Sequence, residues 1–332
     1  MTARKTSDGA VLVSPDNFTR AESDMYFGNV VGGGGLGKFM HLRELTPLDN
    51  QLVIRSNRDT LYSAGVFDLD AGPVTISLPD TGGRFMSMQV IDEDQYVPTV
   101  FYGQGGHTLT RNDIGTRYVM VAIRTLVNPN DDADLDTVHA LQDAISVQQE
   151  GTGSFEIPKW DPVSQKTVRD ALLALATTLS DFTGMFGTKL ETDPVRRLIG
   201  AATGWGGNPE KDATYASVRP AKNDGNTVYR LTVDQVPVDA FWSVTVYNKE
   251  GYFTPNPQNA YSLNNITAQR GTDGKITIQF GGCEAATANC LPITPGWTYL
   301  VRLYRPHNEI LNGEWTFPEA QRWPGARSDD ID

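Results

Sequence analysis

Residues that bind metals or form crosslinks are scarce in this chain. It has two cysteines, Cys283 and Cys290, and four histidines among 332 residues. No two histidines stand at the H-x-H or i, i+4 spacings of zinc sites, so we expect no metal ion, and the lack of a cofactor motif predicts no cofactor. The two cysteines lie close enough in sequence for a local disulfide in an oxidising compartment. In a cytoplasm they would be two unreactive thiols, which is the preferred interpretation.

Long apolar runs are absent. No stretch approaches the roughly 18 consecutive apolar residues of a membrane helix, and the basic N-terminus has no apolar run behind it, unlike a signal peptide. We therefore predict a cytoplasmic protein, unless a leader has been removed. The formal net charge of −12 disfavours nucleic acids and anionic membranes as partners, because like charges repel. A small-molecule ligand is the predicted partner, and a homo-oligomer is compatible with the sequence.

Familiar catalytic fingerprints are missing as well. No serine stands in a G-x-S-x-G elbow, which argues against an α/β-hydrolase. Strands do not alternate with helices as they do in dinucleotide-binding folds. The run from Gly32 to Lys38 has the glycine and lysine spacing of a phosphate-binding loop, but Phe39 replaces the Ser or Thr that would bind magnesium. We therefore interpret this run as a flexible glycine loop.

Short strand patterns dominate what is present, with 32 glycines and 19 prolines to form turns between them. Alternating apolar and polar residues predict strands at 52–55, 61–67, 73–78, 85–91, 118–123, 227–233, 241–247, 275–280 and 298–304. Helical spacing predicts helices at 17–30, 134–149, 164–186 and 194–202. The predicted fold is mainly β with an inserted helical segment, and it has two antiparallel modules that are sandwich-like or barrel-like. The predicted parts are an N-terminal β module at 1–127, a helical connecting segment at 128–215 and a C-terminal β module at 216–332.

The first polar segment that would form a site follows the predicted strand at 52–55. Arg58 next to Asp59 suggests a carboxylate kept ionised by a guanidinium, with Asp59 as a general base or acid. Tyr62 would donate a hydrogen bond to a substrate oxygen, while Asn57 and Arg58 would bind the substrate. The alternative, which the sequence alone favours, is a polar turn in which Asn57 and Asp59 bond backbone N–H groups.

A second polar segment, from Asp92 to Tyr96, follows the predicted strand at 85–91. Its closely spaced carboxylates suggest acid–base chemistry or a hard cation, and Asp92, at the end of the strand, is the one most able to turn inward. Asp92 is thus a candidate catalytic group and Tyr96 a candidate substrate-binding residue. The alternative is a solvated acidic loop, which is what most charge runs are.

A third segment is rich in aromatic residues that would stack on a sugar or another ring-bearing ligand. The residues proposed for this role are Trp242, Tyr247, Tyr252 and Tyr261. The alternative is that such rings cover the edge of a sheet. Arg302, on the last predicted strand, is a candidate clamp for a carboxylate, and alternation places it on the same face as Tyr304.

Taken together, these motifs resemble a bacterial family of tandem uncharacterised modules, over roughly Tyr26 to Pro318. The N-terminal one resembles the domain of unknown function numbered twelve fifty-four, and the C-terminal one resembles the domain numbered twelve fourteen. The resemblance rests on Asn57-Arg58-Asp59-Thr60-Leu61-Tyr62-Ser63, Gly184-Met185-Phe186-Gly187, Gly204-Trp205-Gly206-Gly207, Phe241-Trp242-Ser243-Val244-Thr245-Val246-Tyr247, Asn256-Pro257, Tyr261-Ser262 and Arg302-Leu303-Tyr304. It implies two β modules with an inserted helical portion, and it implies no activity. The family tends to have Asn-Trp-Leu-Pro where this chain has Asn289-Cys290-Leu291-Pro292, so an aromatic pocket wall would be missing there.

The leading functional hypothesis is an enzyme that acts on a small organic molecule in a cleft between the two β modules, since domain junctions favour such sites. Asp59 or Asp92 would serve as general base or acid, and hydrolysis or a lyase step is preferred over redox work because no cofactor motif is present. One alternative is a non-catalytic protein that binds a small ligand or a carbohydrate. Another is a structural subunit that assembles with copies of itself.

Overall fold

The structure is a computed structural model that describes residues 4–49, 51, 55–285 and 288–324. The chain packs as two compact units. Unit 1 comprises Met1–Arg43, Leu61–Leu126 and Asp136–Glu210, and unit 2 comprises Glu44–Thr60, Val127–Leu135 and Lys211–Asp332. The strand predicted at 52–55 falls largely on residues outside the described part. The predicted division into an N-terminal module, a helical segment and a C-terminal module stays a prediction.

Unit 1 is built on two antiparallel sheets. The five-stranded sheet has the order β1-β2-β7-β4-β5, and the three-stranded sheet has the order β6-β3-β8. The strands are β1 (Met40–Leu42), β2 (Thr60–Asp68), β3 (Val74–Leu78), β4 (Met86–Asp92), β5 (Thr99–Tyr102), β6 (Gly105–Leu109), β7 (Tyr118–Leu126) and β8 (Ser146–Gln148). Both sheets contribute buried residues to one apolar core, as the alternation along β3 predicts.

The helices of unit 1 agree with the sequence prediction at their starts better than at their ends. They are α1 (Phe18–Gly32), α2 (Arg111–Ile114), α3 (Asp132–Asp143), α4 (Pro162–Ala176) and α5 (Pro194–Gly204). Asp161 and Asp193 cap α4 and α5, and a proline occupies the first turn of each. The helix predicted at 134–149 is wrong beyond Asp143, because Ser146–Gln148 pairs with β3 instead. The helix predicted at 164–186 is wrong beyond Ala176, where the chain continues in turns.

Unit 2 contains two four-stranded sheets, with the orders β14-β13-β10-β16 and β12-β11-β15-β9. Their strands are β9 (Ala213–Val218), β10 (Tyr229–Val233), β11 (Trp242–Tyr247), β12 (Ser262–Asn264), β13 (Ile276–Phe280), β14 (Cys290–Leu291), β15 (Thr298–Tyr304) and β16 (Gln321–Arg322), and α6 is Asn308–Leu311. All pairings are antiparallel except that of β13 with β14. Both sheets bury side chains in one core, so unit 2 is sandwich-like, and no sheet of the described residues closes into a barrel.

The two faces of β11 are both buried but differ in chemistry. Trp242, Val244 and Val246 point into the apolar core of the sandwich. The alternate residues Ser243 and Thr245 lie on the opposite face and are fully buried as well. A sheet of two buried faces usually carries apolar residues on both. The polar face of β11 therefore needs hydrogen-bonding partners, and the candidate site begins there.

A disulfide joins Cys283 to Cys290, with their Cα atoms 5.7 Å apart. The interpretation of these cysteines as two free thiols is therefore wrong. Cys283 begins a short 3₁₀ turn and Cys290 begins β14, so the bond ties the end of one sheet to the turn that precedes it. Of the helices that the structure describes, none combines the length and the apolar character needed to cross a bilayer.

Candidate functional site

The segment Arg55–Thr60 lies on the polar face of the sheet β12-β11-β15-β9, within unit 2. Asp59 is 1% exposed, and its Oδ1 accepts hydrogen bonds from Ser262 Oγ at 2.8 Å and from Asn264 Nδ2 at 3.1 Å. Asn57 Oδ1 accepts the backbone N–H of Asp59 at 2.7 Å, and Asn57 Nδ2 donates to Tyr304 OH at 3.1 Å. The predicted polar turn is thus present at Asn57, while the carboxylate of Asp59 binds side chains of β12.

Arg302 is enclosed on the same face and is 2% exposed. Its Nη2 donates to Tyr247 OH at 2.7 Å and to the carbonyl oxygen of Arg55 at 2.8 Å. Tyr247 OH in turn donates to the carbonyl oxygen of Ser56 at 2.7 Å, and burial raises the pKa of Tyr247. The guanidinium that was predicted to clamp a ligand carboxylate is therefore occupied by backbone and phenol oxygens of its own unit.

A chain of hydroxyl groups links Arg302 to Asp59. Arg302 Nη1 donates to Thr245 Oγ1 at 2.9 Å, Thr245 Oγ1 lies 2.9 Å from Ser262 Oγ, and Ser262 Oγ donates to Asp59 Oδ1. Burial by itself disfavours the charged form of Arg302, but the surrounding Tyr247, Tyr304 and Asp59 leave its pKa raised above the ordinary value. Two opposite buried charges thus compensate one another through two hydroxyls and without direct contact.

One carboxylate oxygen of Asp59 takes no part in this hydrogen-bond network. Asp59 Oδ2 is buried and has no hydrogen-bond partner, and the same holds for Ser56 Oγ and for Ser243 Oγ. Buried polar atoms are normally paired, so each exception needs an explanation, and a role in binding or catalysis is one of them. Asp59 Oδ2 is therefore the acceptor of this carboxylate that remains for another donor.

Arg58 does not form the predicted ion pair with Asp59. Its Nη1 donates to the carbonyl oxygen of Thr46, and its guanidinium carbon lies 5.3 Å from the ring centroid of Tyr261 and 5.7 Å from that of Phe253. Burial lowers the pKa of Arg58. Among the described residues, no carboxylate forms a salt bridge with Arg58. It is held by aromatic faces, which attract a cation by their quadrupole.

A pocket of about 140 Å³ opens in unit 2 beside these residues. Its wall includes two of the predicted stacking residues, Tyr247 and Tyr261, together with Pro255, Pro257 and Pro292. Rings and prolines form a stiff apolar surface, because few bonds in them can rotate. Tyr247 is further fixed by the two hydrogen bonds of its OH group.

The polar atoms around the pocket come from neutral side chains. Asn248 Oδ1 accepts the backbone N–H groups of Glu250 and Tyr252, which leaves its Nδ2 without a hydrogen bond to any described residue. Asn256, by contrast, uses both amide atoms on the backbone of Ala260. None of the described residues that line the pocket is charged. The pocket thus offers an apolar wall and a free amide donor.

Two other predicted aromatic residues lie elsewhere. Trp242 is 4% exposed and packs on Phe317 in the apolar core, with 5.7 Å between ring centroids. Its side chain fills the sandwich interior, and its role as a stacking platform stays a prediction. Tyr252 is half-buried, and its backbone N–H donates a hydrogen bond to Oδ1 of Asn248, a residue that lines the pocket. Neither residue lines the pocket.

The remaining predicted residues belong to unit 1. Asp92 turns inward, is 6% exposed, and its Oδ1 accepts the backbone N–H groups of Asp94 and Tyr96, each at 2.9 Å. Burial raises the pKa of Asp92 to about 7. The ring of Tyr96 lies under the guanidinium of Arg197, 4.5 Å from centroid to carbon. This segment is therefore a tight turn rather than a freely solvated acidic loop.

Tyr62 also lies in unit 1, where its ring packs under the guanidinium of Arg124 at 5.4 Å. The structure thus brings together Asn57, Arg58, Asp59, Tyr247, Tyr261 and Arg302, and it places Tyr62, Asp92 and Tyr96 in the other unit. In the part of the chain that the structure describes, no cluster of three or more His, Cys, Asp or Glu side chains is arranged to hold a metal ion.

Sequence reasoning missed the partners that make this network. Thr245, Ser262 and Asn264 carry the hydrogen bonds of Arg302 and Asp59, yet small polar residues in strands do not stand out one at a time. The signal that would have found them is the strict alternation in β11 of apolar residues with Ser243, Thr245 and Tyr247.

Comparison with known proteins identifies two family modules in the chain. Residues 36–149 match the family described as "Protein of unknown function (DUF1254)", and residues 213–308 match "Protein of unknown function (DUF1214)". The chain therefore belongs to the proteins that carry these two modules in tandem, which confirms the resemblance seen in its motifs. The second module holds the pocket, whereas Arg58 and Asp59 fall within the sequence range of the first.

Two solved structures share this fold. The VPA0106 protein from Vibrio parahaemolyticus has a TM-score of 0.68 and 20% identity, over 93% of this chain and 97% of that chain. An uncharacterised protein from Burkholderia cenocepacia has a TM-score of 0.52 and 11% identity, over 92% of this chain and 86% of that chain. Identities this low establish likeness of fold alone. No curated protein matches the chain.

Proposed function

We propose that unit 2 binds a small organic molecule in the pocket bordered by Tyr247 and Tyr261. The observation that carries this proposal is the wall of two tyrosines and three prolines beside the free amide of Asn248. Ligand pockets in proteins are typically apolar and carry a few polar groups that orient the ligand. Binding of a small ligand is one of the functions that the sequence analysis left open.

The size of the pocket restricts the ligand. A volume of about 140 Å³ is close to the roughly 150 Å³ of an engineered cavity in another protein that accepts benzene. We therefore expect a single ring, or one ring of a larger molecule that extends into solvent. Because Tyr247 is already fixed by hydrogen bonds, binding orders little of the wall and loses little conformational entropy.

A substitution that fills the pocket tests this proposal. Thr294 lines the pocket and is half-buried, so Thr294→Phe places a ring in the volume that a ligand would occupy. Thr232→Phe is the matched control, because Thr232 is an exposed residue of β10 outside the pocket. We expect ligand-observed NMR with a library of single-ring compounds to show binding to wild type and Thr232→Phe, and at least tenfold weaker binding to Thr294→Phe. Equal binding to all three proteins would refute the proposal.

A catalytic function, as a hydrolase or lyase, is the second candidate. It is favoured by Asp59 Oδ2, a buried carboxylate oxygen that no described residue satisfies. The carboxylate would act as a general base on a molecule that reaches the polar face of β11. Turnover across a small-molecule panel that is equal in wild type and Asp59→Asn would remove Asp59 from such a mechanism.

A further inference from the structure

The two tyrosines that line the pocket, Tyr247 and Tyr261, each contact the guanidinium of an arginine of unit 2. Tyr247 accepts a hydrogen bond from Arg302 Nη2 at 2.7 Å, and the guanidinium carbon lies 6.0 Å from its ring centroid. Tyr261 has the guanidinium of Arg58 at 5.3 Å from its ring centroid. A cation next to a ring withdraws electron density from it, so the ring of Tyr261 presents a less negative surface to the pocket.

The two guanidiniums next to these rings differ in how their charge is compensated. Arg302 and Arg58 contribute two positive charges, whereas Asp59 is the carboxylate that the hydroxyl chain connects to Arg302. The neighbouring Lys249 and Glu250 form an exposed pair at 3.4 Å and compensate one another. Arg58, by contrast, forms no salt bridge with a described carboxylate, in a chain whose formal net charge is −12. Burial lowers the pKa of Arg58, as expected for a cation that has lost water without gaining a carboxylate.

We propose that this pocket selects small organic anions, such as an aryl carboxylate, over neutral and cationic molecules of the same shape. This inference rests on the proposed function and adds the charge of the ligand to it. The ring of the ligand packs on Tyr261 and the prolines, and its anionic group lies in the positive field of Arg58. The partly exposed Arg58 sets this preference, because the charge of Arg302 is already opposed by Asp59.

Three compounds that differ in charge test the inference on the intact protein. Benzoate, benzamide and benzamidinium share one ring and carry a negative, a neutral and a positive group. We expect benzoate to bind about five- to tenfold more tightly than benzamide at low ionic strength, and benzamidinium to bind more weakly than benzamide. Raising the salt to about 0.5 M should reduce the difference, because screening acts on the charge and not on the ring.

Variants of Arg58 separate charge from packing. We expect Arg58→Met to bring the affinity for benzoate down to that for benzamide while the affinity for benzamide stays within about twofold. Arg58→Lys keeps the charge and should keep most of the preference, and circular dichroism checks that both variants are folded. Arg305→Met is the control for a lost positive charge, since Arg305 is half-buried like Arg58, pairs with Asp239 and does not line the pocket.

The outcomes distinguish this inference from the proposed function. Binding of all three compounds with equal affinity would keep the ligand site and overturn its charge selection. A loss of affinity for all three in Arg58→Met would overturn the charge argument by assigning Arg58 to the packing of the wall. Failure of every ring compound to bind wild type would overturn the proposed function itself.

Discussion

Replacing Asp59 by asparagine removes the negative charge that opposes buried Arg302 and changes almost nothing else in shape. The Oδ1 atom of the introduced asparagine would still accept from Ser262 and Asn264, so the hydrogen bonds of that oxygen are kept. The substitution removes the negative charge that compensates the guanidinium of Arg302, a residue that is 2% exposed. The substitution therefore measures the electrostatic contribution of the hydroxyl-linked pair to the stability of unit 2.

The expected magnitude follows from the separation of the two charges. Breaking a buried pair in direct contact costs about 3–5 kcal/mol, because the remaining charge is left uncompensated. Here Thr245 and Ser262 stand between the charges, which weakens their attraction, so we expect Asp59→Asn to cost about 3 kcal/mol of the free energy of unfolding. Combining it with Arg302→Met removes both charges, and the double variant should be less destabilised than the sum of the single variants by at least about 1 kcal/mol.

Urea unfolding measures these free energies, and hydrogen exchange at the amides of β11 and β15 reports unit 2 separately from unit 1. Asp239→Asn is the control, because Asp239 pairs with Arg305 on the surface and its loss should cost less than about 1 kcal/mol. Additivity of Asp59→Asn and Arg302→Met within about 0.5 kcal/mol would refute the reasoning, since it would show that the two charges do not interact.

Two further predictions concern the turn of unit 1 and the disulfide. The pKa of Asp92 is raised to about 7, so the folded state binds more protons than the unfolded state between about pH 4 and 7, and stability should fall by roughly 4 kcal/mol as pH rises through that window. Asp92→Asn keeps the acceptor for Asp94 and Tyr96, and urea unfolding at several pH values should show this fall in stability reduced by the contribution of Asp92. Asp24, whose pKa burial raises to about 6, still lowers stability with rising pH in the variant, whereas His41 and His107, whose pKa values burial lowers, act in the opposite direction. An unchanged slope would contradict the assignment of the raised pKa to Asp92. Replacing Cys283 and Cys290 together by serine should lower the free energy of unfolding by ~2–3 kcal/mol relative to the oxidised protein, because the bond closes a short loop. A variant as stable as the oxidised protein would show that the disulfide contributes nothing to unit 2.

Local sequence patterns predicted the helices and strands correctly where the pattern allowed only one type of element. The run 241–247 was predicted to be a strand, and β11 forms there at Trp242–Tyr247. The helix predicted from residue 194, where proline suits a first turn, begins at Pro194 as α5. The pattern failed near residue 146, where apolar residues suit a helix as well as a strand, and pairing with β3 decided for the strand.

The site was less predictable because its contacts join distant parts of the chain. Asn57, Arg58 and Asp59 were recognised as unusual, but their partners Ser262 and Asn264 lie more than 200 residues further on. Periodicity shows that two faces of a strand differ, and it does not show which segment covers each face. The expected Arg58–Asp59 pair was therefore replaced by two separate arrangements, one aromatic and one hydroxyl-linked.

The polar face of β11 has a consequence for how this protein can be divided. Its cover, Arg55–Thr60, lies more than 150 residues before the first strand of the sandwich, β9 (Ala213–Val218). A recombinant fragment that starts after Glu210 would include every strand of the sandwich and lack that cover, leaving Arg302 and its neighbours bare to solvent. The C-terminal module is thus not a separable building block, and a fragment trimmed to family boundaries requires the early segment to be supplied in trans or fused to it.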